Sequence, residues 1–101
     1  MTAIPIPYGK AFQLWTGDIW LASLNVPARL RGRGVGTMVL QNLQRLGRPI
    51  VLEAVADRGH ATRLRRFYER LGFRPTRRRN EMRWTPIFKR GNAPLKPVSL
   101  K

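Results

Sequence analysis

The chain has 101 residues, 43% of them hydrophobic, which suits one small domain with a core of its own. It has no cysteine, which excludes disulfides, thiolate metal sites and a thiol nucleophile, and its apolar runs are too short to span a membrane. Twenty Lys and Arg against five Asp and Glu give a net charge of +15, an excess that calls for a polyanionic neighbour: nucleic acid, a ribosome, an acidic protein or a phosphorylated cosubstrate.

Met1-Thr2-Ala3-Ile4-Pro5 lacks the basic start and long apolar stretch of a signal peptide, so the expected compartment is the cytoplasm. Ile4 to Leu14 reads as a strand entered through Pro5 and Pro7. Thr16-Gly17-Asp18 reads as a turn and Ile19 to Val26 as a second strand, forming an antiparallel hairpin that Pro27 ends. Val35, Met38, Val39, Leu43 and Leu46 recur at helical spacing, with Gly47 and Pro49 as stop signals. Pro49 to Asp57 is nearly continuous in apolar residues, the pattern of a strand buried on both faces in a parallel arrangement. Arg58-Gly59-His60 reads as a loop.

A second helix is expected from Ala61 to Leu71, with Leu64, Phe67, Tyr68 and Leu71 inward and Arg63, Arg65, Arg66 and Arg70 mostly on the other side. Gly72 caps it. Phe73 starts a strand toward Pro75, Arg77-Arg78-Arg79-Asn80 makes a turn, and Glu81 to Ile87 returns as a strand. Trp15, Trp20, Trp84 and Phe88 would stack on nucleic-acid bases if exposed, but are read as core. The result is an α/β (α+β) domain over residues 1–88, ordered β-β-α-β-α-β-β, with a mixed sheet and a right-handed crossover joining a parallel pair. Residues 89–101 read as a basic, extended tail.

The segment with chemical character is Arg31-Gly32-Arg33-Gly34-Val35-Gly36-Thr37. It follows a strand and opens an amphipathic helix. Gly34 and Gly36 let the backbone turn and approach a ligand. The first N–H groups of the helix lack intrahelical partners, which makes a phosphate site. No Gly-Lys-Ser/Thr follows, so this is not a Walker loop. Val39 stands where a dinucleotide fingerprint needs its third glycine.

Here the sequence resembles the GNAT family of acyl-CoA N-acyltransferases. The family signature Gln/Arg-x-x-Gly-x-Gly/Ala matches Arg31, Gly34 and Gly36. A second signature, a Tyr followed by Glu-x-x-Gly-Phe, matches Phe67-Tyr68-Glu69-Arg70-Leu71-Gly72-Phe73. The resemblance runs from about Ile19 to Thr85. It implies a GNAT-like core whose parallel strands splay apart at a slot for acetyl-CoA. The backbone of Leu24, Asn25 and Val26 would hold the pantetheine arm, and the amides from Arg31 to Thr37 the diphosphate. Tyr68 would protonate the departing thiolate, or serve as one more aromatic in the helix stripe. The amine's proton needs a base. Glu53, which interrupts an apolar run, is a candidate unless it points outward or pairs with an arginine; Asp57 and His60 are others.

Eighteen residues precede Ile19. A full domain of this family begins with a further strand, two helices and another strand, so the reading is of an N-terminally truncated version. The acceptor wall would then come from a second copy of the chain or a larger partner. The implied function is transfer of an acetyl group from acetyl-CoA to an amine acceptor. The alternative is a non-catalytic basic module on the same core, bound to nucleic acid or to a large ribosomal or phage assembly.

Overall fold

The computed structural model describes residues 1–55 and 61–86. Six strands form one sheet in the order β1-β2-β3-β4-β6-β5. They are β1 (Thr2–Ile4), β2 (Gly9–Gln13), β3 (Ile19–Leu24), β4 (Ile50–Glu53), β5 (Arg74–Pro75) and β6 (Glu81–Trp84). Two helices, α1 (Val35–Gln44) and α2 (Ala61–Arg70), complete the described fold. β3 and β4 are parallel; the other neighbours are antiparallel.

Three expectations change. Ile4 to Leu14 is not one strand. Pro5 and Pro7 deny the ladder two donors, Tyr8 turns with φ 62°, and the chain doubles back so that Ala3 faces Phe12. The order is therefore β-β-β-α-β-α-β-β. The strand after Pro49 is not buried on both faces. Ile50, Leu52 and Ala54 are buried, whereas Val51 is half-buried and Val55 is 64% exposed. The third concerns the tryptophans: Trp84 packs against the core, but Trp15 is 92% exposed in the turn between β2 and β3. Phe88 and the tail lie outside the described residues, as do Asp57, the Arg58–His60 loop and Ile87.

The one-sided burial of β4 follows from the layering of the fold. Side chains alternate across a strand, and the core occupies one side of the sheet only. Ala11, Ile19, Leu21, Ile50, Leu52 and Met82 point to that side and meet Leu40 and Leu43 of α1 and Tyr68 of α2. Between them, Ala3, Phe12, Trp20, Val51, Arg83 and Arg74 stand in one row, each the register partner of the next, on the opposite face. Among the described residues no helix covers that face.

The helices end as their sequences predict. After α1, Leu46 and Gly47 donate to the carbonyls of Leu43 and Gln44, and Gly47 has φ 73°. After α2, Gly72 donates to Glu69 and Phe73 to Tyr68, with Gly72 at φ 95°. The Gln44 side-chain amide donates to the Leu71 carbonyl at 2.8 Å and ties the two helix ends together. Asn80, at φ 62°, closes the Arg77–Asn80 turn. No helix among the described residues is long and apolar enough to cross a membrane.

Candidate acyl-transfer site

The site begins with a strand that changes direction. β3 pairs with β4 through three rungs, Ile19 with Ile50, Trp20 with Val51 and Leu21 with Leu52, and no further. On its other edge β3 carries a bulge. Lys10 faces Ser23 but Ala11 faces Leu21, leaving Ala22 as the extra residue. A bulge bends the strand that holds it. Here the bend falls one residue past the last rung with β4, so β3 leaves β4 at Ala22. The expected splay is present, and the bulge is its local cause.

Beyond that point the backbone of β3 is unevenly available. Asn25 donates its N–H to the Tyr8 carbonyl at 2.7 Å. Successive residues in an antiparallel ladder turn their polar groups to opposite edges, so Leu24 turns its own toward the gap left by β4. The Val26 carbonyl accepts from Arg31 Nε at 3.0 Å. Of the three residues expected to face an acyl donor with free backbone groups, Leu24 alone keeps both.

The gap opens onto a groove of about 1270 Å³ between β3, β4 and α2. Leu24, Asn25, Val26, Arg31, Glu53 and Tyr68 all line it. Its wall also carries Arg63, Arg66 and Arg70, so four arginines face one carboxylate, that of Glu53. A concave surface with this imbalance attracts a phosphorylated ligand. The three helix arginines were not anticipated; they read as the outward face of α2. Their spacing, i, i+3 and i+7, was the available signal, since it places them on a single helix face.

Gly32, Arg33, Gly34, Val35, Gly36 and Thr37 are not among the residues that line this groove. A 3₁₀ turn (Ala28–Leu30) leads into Arg31, and the chain enters α1 through Gly34 as N-cap, at φ 79° and ψ 11°. That left-handed conformation is strained for any residue with a side chain. Met38 donates to the Gly34 carbonyl at 3.0 Å. No side chain caps the helix and its first turn holds no acid, so the amides of Val35, Gly36 and Thr37 are the unpaired donors of its first turn. Gly36 is needed for a different reason: a Cβ there would sit 3.2 Å from Phe67 Cζ and 3.7 Å from Val26 Cγ2. Both neighbours line the groove, so the glycine segment packs directly against its wall.

Tyr68 is 6% exposed. Its ring lies between two edge-on neighbours, Phe67 at 5.2 Å and Phe73 at 5.6 Å between centroids. Burial pushes its hydroxyl above the ordinary tyrosine value near 10. A tyrosine is protonated at neutral pH in any case, and the shift extends that state further into the alkaline range. Glu53 is exposed at the end of β4. Of the other two carboxylates or imidazoles considered as base, Asp57 and His60, both fall outside the described residues.

A parallel strand pair that parts beside a basic groove, followed by an uncapped helix entered through glycine, defines an acyltransferase-type fold. The chain belongs to the GNAT acetyltransferase family, whose family model matches residues 5–73, more than half of the chain. That family uses acetyl-CoA. The match starts at the Pro5 turn, upstream of where the motif resemblance begins, and ends at Phe73. A comparison with curated proteins finds none that matches.

Proposed function

We propose that the protein transfers an acetyl group from acetyl-CoA to an amine. The observation that carries this reading is the parting of β3 from β4 at the Ala22 bulge, directly beside the groove that Tyr68 lines. A thioester lying in that gap would bond the exposed backbone of Leu24. Its diphosphate would lie toward the amides of Val35, Gly36 and Thr37, with Arg31 and Arg33 supplying charge. The arginines of α2 would hold the remaining phosphate charge.

In the reaction, the neutral amine attacks the thioester carbonyl carbon and a C–N bond forms. The C–S bond then breaks, and the thiolate takes the proton of the Tyr68 hydroxyl. The amine's surplus proton passes to Glu53, directly or through water; before the next turnover Glu53 gives that proton up to solvent and the tyrosinate takes one back. Holding the two reactants in one groove supplies much of the rate by orientation.

Isothermal titration with acetyl-CoA tests the reading. Wild type should bind in the micromolar range, and Gly34→Trp should lose binding because the N-cap can no longer take its left-handed conformation without strain. An absence of heat at millimolar acetyl-CoA in wild type rejects the proposal.

A further inference from the structure

The open face of the sheet is the most conspicuous surface not used by the acyl-transfer site, with Phe12, Trp20 and Val51 in one row. Arg83 on this face is already paired with Asp18 at 3.0 Å, and the apolar side chains of the row give a phosphate no partner. The groove accounts for four arginines, a small part of the twenty Lys and Arg. A single CoA-sized ligand does not call for the rest.

A second depression lies on the other flank of α2. It has a volume of about 260 Å³ and is lined by Arg65 of α2 and by Arg77, Arg78 and Arg79 of the β5–β6 turn. Four arginines from two separate elements converge there, and all four are exposed. Two carboxylates share the lining, Glu69 and Glu81. Neither neutralises an arginine: the Glu81 carboxylate accepts from the Thr76 hydroxyl at 2.7 Å. The ion pair found among the described residues joins Arg83 to Asp18 and uses neither of these carboxylates. The turn is held open by its own chain. The Arg78 amide donates to Thr76 Oγ1 and the Glu81 amide to the Arg78 carbonyl, so the three guanidinium groups are presented from a fixed hairpin tip.

We propose that this depression is a docking site for the phosphate backbone of nucleic acid. Guanidinium groups match phosphate oxygens bidentately. No aromatic side chain lines the depression, so bases have nothing to stack on, and the contact reads backbone rather than sequence. It lies apart from the acetyl-CoA groove: α2 presents Arg63, Arg66 and Arg70 to one side and Arg65 to the other. The site would hold the enzyme on a nucleic-acid-bearing assembly while the groove works.

Fluorescence anisotropy with a labelled 20-nucleotide single strand and a 20-base-pair duplex, titrated between 50 and 200 mM salt, tests this. Wild type should bind both probes, with affinity falling linearly on a log–log plot against salt. Replacing Arg77, Arg78 and Arg79 by Ser should lower the slope by about three and the affinity at 50 mM by tenfold or more. The matched control replaces Arg29, Arg45 and Arg48 by Ser, removing equal charge from another part of the surface. It should stay within about twofold of wild type by the same phosphate-contact accounting. Equal losses in the two triple variants overturn the proposal in favour of diffuse charge. Failure to bind either probe overturns it too, as does binding to anionic phospholipid vesicles in place of the oligonucleotides. Both variants keep the groove residues, so acetyl-CoA titration separates this outcome from the fate of the acyl-transfer reading.

Discussion

Tyr68 meets the conditions for both roles that the sequence offered. Its ring packs edge-on between Phe67 and Phe73, and the residue lines the groove. Packing and a proton-donor role are thus not rivals at this position. Tyr68→Phe keeps the ring and removes the proton. In steady-state acetylation assays kcat should fall by about a hundredfold while acetyl-CoA affinity is retained; an unchanged kcat assigns Tyr68 to packing alone. The raised pKa also sets a stability window. The unfolded tyrosine ionises near 10 and the folded one later, so the protein keeps this contribution below about 10 and loses it as pH rises further. Chemical denaturation of wild type should show that alkaline loss, and Tyr68→Phe should flatten it.

At the scale of elements, the decisive features are joints. The Ala22 bulge and the end of the β3–β4 ladder coincide, so a single extra residue both bends the strand and opens the slot. No composition or periodicity marks that residue, because a bulge is defined by its partner strand. The junction of α1 and α2 is similar. Gln44 looks like an ordinary polar position near a helix end, yet its amide bonds the Leu71 carbonyl across 27 residues of sequence. Gln44→Ala should cost about 1 kcal/mol in urea denaturation, the usual net worth of one such bond. A larger loss of acetyl-CoA affinity than of stability would mean that the tie also positions the groove wall. The glycine loop was legible throughout, since both its left-handed entry and its open helix end follow from residue types in order.

For the whole molecule, charge and layering are the two themes. The helices sit on one side of the sheet. With +15 on 101 residues, self-repulsion opposes the compact state. Raising salt from 20 to 500 mM should therefore raise the melting temperature by several degrees, followed by circular dichroism; a melting temperature that falls with salt contradicts the reading.

The order of residues by itself determined most of the elements from Ile19 onward, the family through Arg31, Gly34, Gly36 and the Tyr68 segment, and the net positive charge. These are local properties: spacing of apolar side chains, glycines at strained backbone positions, and a count of charges. Tertiary structure alone decided that Ile4 to Leu14 folds back on itself, that β4 is covered on one side, that Asn25 has no free N–H for a ligand, and that the arginines of α2 divide between two depressions. Each depends on what lies across from a residue, and a one-dimensional pattern carries no record of its partners.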